Sequence, residues 1–163
     1  MTARERFVDW CRAQLGKPVL WGSKGADAFD CSGLITRGLY ELTLELPPEQ
    51  RIDWRATHNT DRLFADLDLV YGEPLPGDAV FYWPEKRRDD NDVEHVAVVI
   101  EGGLVITADG ASSRIHTLEQ AKEAHAIVRV RGDVSYRPRL AGFRRFPLTE
   151  DAEGKLVLVC QAT

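Results

Sequence analysis

The hydrophobic period changes once along this chain, and that change constrains the fold more than any other feature. Up to about residue 67 apolar residues recur at helical spacing, and after the turn signal Pro76-Gly77-Asp78 they form short runs typical of strands. Helices first and strands second indicate the α+β class, with helices packed on one side of an antiparallel sheet. With 163 residues, the chain is expected to form one domain, residues 1–163, with a substantial buried core.

The first half predicts three helices. The first runs from about residue 3 to 15 and opens with a capping box. The second starts near Cys31 and stops before Pro47-Pro48, and a third, short helix follows near residues 60–67. Each ends close to a glycine, a proline or a polar stretch, so the helices are expected to be separate elements joined by loops.

The second half predicts strands separated by short connections. Gly102-Gly103 marks a hairpin turn, and Thr117 with Gln120 caps a short helix that ends near residue 124. Strand patterns occur at AVFYW (79–83), HVAVVI (95–100), LVITA (104–108), AIVRVR (126–131), GFRRF (142–146) and KLVLVC (155–160).

Composition excludes several classes of function. A net charge of -5 argues against a nucleic-acid binder, and no run approaches the ~18 apolar residues that span a bilayer. The N-terminus has no apolar core of a signal peptide, so synthesis in the cytoplasm without such a signal is expected. Cys11, Cys31 and Cys160 lack metal-site spacing and are too few for a disulfide framework. No cofactor or metal is expected.

The stretch Asp30-Cys31-Ser32-Gly33 places a thiol at the start of the second predicted helix. A core thiol, half of a disulfide, a metal ligand and a nucleophile are the alternatives for it. Unpaired N–H groups and the helix dipole favour negative charge there, so we expect the thiol pKa to fall from ~8.5 toward neutrality. The small neighbours Ser32 and Gly33 would let a substrate carbonyl approach backbone N–H groups. The flanking sequence therefore favours an activated nucleophile.

A thiolate nucleophile also needs a base, and His95 is the candidate of interest among the four histidines. It opens a predicted strand after a polar loop, although its position alone favours an ordinary polar residue over a proton shuttle. With a turn at residues 101–103, His95 lies opposite Asp109, and Thr107 points to the same face. Either side chain can orient the imidazole.

Four segments resemble, in order, the motifs of the NlpC family of cysteine peptidases, which belongs to the papain-like superfamily. They are GKPVLWG (16–22), FDCSGL (29–34), LPGDAVFY (75–82) and HVAVVIEGG (95–103). The resemblance implies a papain-like core, Cys31 as the nucleophile and His95 as the general base, and it outweighs the positional reading of His95.

The resemblance also points to substrate contacts and to the third polar residue. Trp21, Ser32 and Val19 fall where substrate or oxyanion contacts are expected, with Val19 in place of the family's tyrosine. The third polar residue, commonly histidine, falls on Thr107. Asp109 is slightly preferred for this role, because a carboxylate stabilises an imidazolium better than a hydroxyl does.

The activity implied by the resemblance is hydrolysis of an amide bond in peptidoglycan stem peptides. The alternatives are a non-catalytic wall-binding or virion-structural module, and an amidase or acyltransferase acting on another amide. The segment VSYRPRLAGFRRFP and the lack of a signal peptide are similar to phage-encoded members. This implies phage tail or lysis proteins as partners, and delivery to the wall by a phage particle, a holin or another non-classical route.

Overall fold

A computed structural model of the chain describes residues 1–110 and 112–158. Over these residues the main sheet has six antiparallel strands in the order β1-β6-β2-β3-β4-β5, and β7 pairs with β8 in a separate hairpin. The helices are α1 (Ala3–Ala13), α2 (Cys31–Thr43), α3 (Thr60–Asp66) and α4 (Leu118–Glu123). The strands are β1 (Asp68–Leu69), β2 (Ala79–Tyr82), β3 (His95–Val99), β4 (Leu104–Asp109), β5 (Ile127–Asp133), β6 (Leu140–Arg145), β7 (Leu148–Glu150) and β8 (Leu156–Leu158). The predicted α+β class is confirmed.

Local sequence signals set the ends of these helices. The capping box of Thr2 and Glu5 is present at α1, which ends at Ala13, two residues earlier than predicted. Cys11 lies on the buried face of α1, where burial raises the pKa of its thiol, so it is a core residue. Cys160 lies outside the described residues. Among the described residues, no helix has the length and apolar character needed to cross a membrane.

The main sheet has a core on each face. The larger core lies between the sheet and the helices, and α2 packs against both β3 and β4. The smaller core lies on the opposite face, under the 3-10 turn Val134–Tyr136. Because strand side chains alternate, Val96 joins the larger core, whereas His95 and Ala97 point to the face of the smaller one.

Asp78 joins three parts of the fold through a fully buried carboxylate. It accepts hydrogen bonds from the Leu75 N–H (2.9 Å), the Arg4 guanidinium (2.8 Å) and the Arg145 guanidinium (3.0 and 2.9 Å). Burial raises the pKa of Asp78, but Arg145, the Leu75 N–H and Arg4 favour the carboxylate more strongly, so the pKa lies below its ordinary value. The turn that the sequence predicts at residues 76–78 is therefore tied to α1 and β6.

Replacing Asp78 with alanine is expected to lower the free energy of unfolding by about 3 kcal/mol at pH 7, because two arginines lose a buried partner. Since the folded-state pKa is depressed, this contribution is present above the unfolded pKa of ~3.9 and is lost as the pH falls through the folded-state pKa. Denaturant unfolding of both proteins from pH 7 to pH 3 measures the change. Asp9→Ala, which removes an exposed pair with Arg12, is the control and should cost well under ~1 kcal/mol. A cost for Asp78→Ala no larger than the control's contradicts the prediction.

Candidate active site

Helix α2 begins at Cys31 because Asp30 caps it. The Asp30 carboxylate accepts a hydrogen bond from the Gly33 N–H and another from the Ser32 hydroxyl (3.0 Å). A Cβ at position 33 would lie 2.1 Å from the backbone oxygen of Ser23, so only glycine fits against the preceding loop. Gly33 therefore serves the packing of the helix end, and its N–H is occupied by the cap. The predicted role of Gly33 in admitting a substrate carbonyl has no support in this geometry.

The Cys31 sulfur is half-buried between α3 and the start of β3. The Thr60 hydroxyl lies within hydrogen-bond distance of it, with 3.6 Å between Sγ and Oγ1. The backbone N–H groups of Val96 and Ser32 also point to the sulfur. The Val96 contact places the thiol at the backbone of His95. The ladder between β3 and β4 pairs residues 98–99 with 105–106, and α2 contacts both strands.

The thiol pKa differs from the one expected at a helix N-terminus. Burial raises the pKa of Cys31, and the neighbouring carboxylate of Asp30 adds to the increase. Thr60 and the two backbone N–H groups lower it, but not enough to offset burial. The expectation of a pKa lowered toward neutrality is therefore wrong for the free protein, since packing around the sulfur outweighs the helix end.

The His95 imidazole is buried at the start of β3. Its Nε2 lies 2.7 Å from the Thr107 hydroxyl oxygen on β4. Burial and, to a smaller extent, the positive charge of Arg137 lower the pKa of His95 to about 3, and Asp109 acts in the opposite direction. The Val96 N–H that faces the Cys31 sulfur belongs to the residue after His95. At neutral pH the free protein therefore holds a neutral imidazole and a neutral thiol.

Thr107, rather than Asp109, forms the hydrogen bond with His95. The hairpin has the expected register: Val98 pairs with Ile106, and the Ile100 N–H donates to the Leu104 carbonyl at 2.8 Å. The Asp109 carboxylate, however, is paired with the Arg131 guanidinium of β5, with 2.7 Å between Arg131 Nε and Oδ2. The slight preference for Asp109 as the orienting group is therefore not what the geometry favours. Asp109 influences His95 through its charge only.

The three residues expected to contact substrate occupy different environments. Val19 is buried in the larger core, so its side chain cannot contact a substrate. Ser32 is buried with its hydroxyl on Asp30, which leaves its backbone N–H as the group that faces the thiol. Trp21, in contrast, is 56% exposed and free to contact a ligand. The predicted substrate contact at Val19 is therefore corrected, whereas the roles predicted for Trp21 and Ser32 stay predictions.

The contact of Thr60 with the sulfur was not predicted from the sequence. Thr60 is the first residue of α3, which Asn59 caps, and its hydroxyl lies against the Cys31 sulfur. Within residues 1–110 and 112–158, no group of three or more histidine, cysteine and acidic residues is arranged to hold a metal ion.

The chain combines an α+β fold with a cysteine, Cys31, at the start of α2 and a histidine, His95, at the start of β3. A model of the NlpC/P60 family matches residues 16–132, which is most of the chain. The chain therefore belongs to the NlpC/P60 family.

Individual relatives agree with this assignment. A probable endopeptidase of Corynebacterium glutamicum is 27% identical over 117 residues, covering 71% of this chain and 48% of that protein. NlpC2 from Trichomonas vaginalis has a similar fold, with a TM-score of 0.63, 22% identity and coverage of 88% of this chain and 46% of its own. RipD from Mycobacterium tuberculosis is a non-catalytic NlpC/p60 domain protein adapted to peptidoglycan binding. Its structure has a TM-score of 0.59 and 16% identity, and the match covers 88% of this chain and 95% of the RipD chain. The chain spans about half the length of its Corynebacterium relative.

Proposed function

We propose that this chain is a cysteine endopeptidase that hydrolyses an amide bond in peptidoglycan stem peptides. The observation that carries the proposal is the placement of the Cys31 sulfur at the backbone of His95, with the His95 imidazole held by Thr107. The family assignment and the endopeptidase name of the Corynebacterium relative support the reaction class. The peptidoglycan-binding role of RipD supports the substrate.

The first half of the reaction uses the neutral pair. The Cys31 S–H proton moves to His95 Nδ1 as the sulfur attacks the amide carbonyl carbon and forms the S–C bond. The Cys31 N–H, which has no acceptor within its own helix, is placed to donate to the developing oxyanion. His95 then gives its proton to the leaving nitrogen as the C–N bond breaks, leaving a thioester.

The second half returns the thiol. A water molecule loses a proton to His95 Nδ1 and attacks the thioester carbonyl, and the C–S bond breaks as the sulfur takes the proton back. Thr60 is positioned to donate a hydrogen bond to the sulfur whenever the sulfur carries negative charge, since its hydroxyl is the side-chain donor in contact with Sγ. The raised thiol pKa and lowered imidazole pKa mean that proton transfer accompanies attack rather than preceding it.

Digestion of purified peptidoglycan with the purified chain tests the proposal. New free amines are labelled, and mass spectrometry identifies the peptide bond from which each arose. New amines within stem peptides are expected. Fragments released elsewhere, such as at the bond between sugar and peptide, would indicate an amidase, and amide exchange that requires an added amine would indicate an acyltransferase.

RipD supports a second candidate, a non-catalytic wall-binding module with the same fold. In that case the chain sediments with peptidoglycan and releases no amines over hours. Delivery by a phage particle, a holin or another non-classical route remains a prediction, as do phage tail or lysis proteins as partners. Activity against intact cells added from outside, compared with activity against isolated walls, measures whether such delivery is needed.

A further inference from the structure

Attack by the Cys31 sulfur places a negative charge on the carbonyl oxygen of the substrate, and that oxygen needs hydrogen-bond donors. The Cys31 N–H is one of them, because it is the first N–H of α2 and has no acceptor within its own helix. Oxyanion sites of acyl-transfer enzymes often combine a backbone N–H with a side-chain donor. The side chains around the sulfur therefore decide whether this site has a second donor.

Three polar groups at the site are already engaged within the protein. The Ser32 hydroxyl (3.0 Å) and the Gly33 N–H both donate to the Asp30 carboxylate. The Thr107 hydroxyl lies 2.7 Å from His95 Nε2. These contacts hold the start of α2 and the imidazole in place, so a substrate oxygen gains a donor there only by breaking one of them.

The Thr60 hydroxyl is the side-chain donor that remains. It is half-buried at the start of α3, where the Asn59 side chain performs the capping, and its Oγ1 lies 3.6 Å from Cys31 Sγ. Within the part of the chain that the structure describes, this sulfur is the one hydrogen-bonding partner of the hydroxyl. The oxygen of a tetrahedral intermediate is two bonds from Sγ, so a hydroxyl in contact with Sγ is close enough to donate to that oxygen.

We propose that Thr60 is a further catalytic residue, whose hydroxyl is the second donor to the carbonyl oxygen of the tetrahedral intermediate. The inference rests on the proposed function and deepens it by naming the side chain that completes the oxyanion site. Helix α2 then supplies one donor, the Cys31 N–H, and helix α3 supplies the other.

The charge on the intermediate gives this hydrogen bond its direction. Before attack the thiol and the hydroxyl can each donate to the other. As the S–C bond forms, the thiol proton moves to His95, and one electron pair of the carbonyl double bond moves to the oxygen. An oxyanion only accepts hydrogen bonds, so the Thr60 hydrogen turns from the sulfur to that oxygen. When the C–N bond breaks, the electron pair re-forms the carbonyl, His95 gives its proton to the leaving nitrogen, and the hydrogen bond weakens.

Two variants of Thr60 test this role with peptidoglycan as the substrate. Thr60→Val removes the hydroxyl at nearly constant shape, and Thr60→Ser keeps it. Thr60→Val should lower kcat about 10²-fold with KM little changed, because the hydrogen bond strengthens only as the charge develops. Thr60→Ser should retain most of the activity. A loss in Thr60→Ser equal to that in Thr60→Val would overturn the inference.

Two reactions of small reagents at Cys31 separate a donor to the oxyanion from a donor to the sulfur. Acylation by p-nitrophenyl acetate passes through a tetrahedral intermediate, whereas iodoacetamide alkylates the sulfur at a saturated carbon and forms no oxyanion. Both rates are read by mass spectrometry of the peptide that contains Cys31, at one pH and per folded molecule. Thr60→Val should lower the acylation rate at least about 10-fold and change the alkylation rate much less. Equal factors in the two reactions, or an unchanged acylation rate, would overturn the inference.

Thr57→Val is the matched control. The Thr57 hydroxyl lies in the same segment, 2.9 Å from His58 Nδ1. This variant should leave the ratio of the acylation rate to the alkylation rate unchanged. A fall in that ratio as large as in Thr60→Val would mean that loosening of the segment before α3 is responsible, and would overturn the inference. If the native chain releases no amines from peptidoglycan, the proposed function fails, while the acylation and alkylation rates still decide the role of Thr60.

Discussion

Cys31→Ala is expected to lower the release of free amines from peptidoglycan by about 10⁴-fold or more, because no other group can form the thioester. The fold should survive, since the side chain is half-buried and Asp30, Ser32 and Gly33 hold the start of α2 without it. The measurement is the initial rate of amine release, with the free energy of unfolding determined on the same preparations.

Cys11→Ala is the matched control for this experiment. Cys11 is the other cysteine in the described residues, and it is fully buried in the larger core, remote in sequence from the site. Its replacement should lower the free energy of unfolding by about 1–2 kcal/mol while leaving the rate per folded molecule unchanged. If Cys31→Ala kept its activity, or if both variants lost it equally, the nucleophile assignment would be wrong.

Signals within a few residues of each other predicted much of the fold. The capping residues of α1 and α4 lie three positions apart, and the Gly102-Gly103 turn fixes how β3 and β4 pair. Given that register, both His95 and Thr107 fall on one face, as expected from alternation. The sequence did not predict the short strands β1 and β7, because two or three residues carry too little pattern to reveal a strand.

The order of strands in the main sheet decides which residue orients His95, a question that local sequence patterns leave open. Register places Asp109 opposite His95 and Thr107 on the same face, and the choice between them depends on Arg131, which β5 places beside Asp109. No local sequence pattern predicts that β5 lies next to β4 rather than elsewhere in the sheet. Val19 shows the same limit, because a motif position does not tell whether a side chain faces the core or the substrate.

Burial explains why the pKa of the Cys31 thiol is raised, where the sequence predicts that it is lowered. A helix N-terminus lowers a thiol pKa where the sulfur is exposed, but α3 and β3 enclose the Cys31 sulfur here, and Asp30 adds a negative charge. Burial at the start of β3 likewise lowers the pKa of His95. Both shifts favour uncharged forms, so the resting site differs from a thiolate–imidazolium pair, and the proposed reaction depends on the imidazole acting as a neutral base.

His95→Gln tests that conclusion through activity and through stability. Loss of the general acid–base should lower the rate of amine release by about 10²–10⁴-fold. The stability effect has a definite sign. The unfolded imidazole binds a proton below about pH 6.5, whereas the folded one does so only near pH 3, so the unfolded state binds more protons between these values. As the pH falls through this window, the free energy of unfolding of the native chain is therefore expected to decrease by up to about 1.4 kcal/mol per pH unit because of His95 alone.

Glutamine does not titrate, so His95→Gln does not show the decrease in unfolding free energy that His95 causes. The other titrating groups are the same in both proteins. The difference in unfolding free energy between variant and native chain should shift in favour of the variant by about 3 kcal/mol between pH 6.5 and pH 4, and should be constant above about pH 7.5. His125→Gln, at an exposed histidine on the loop after α4, is the matched control for the loss of a histidine. Parallel curves for the native chain and His95→Gln would mean that folding leaves the pKa of His95 unchanged. The lowered pKa of the buried imidazole would then be contradicted.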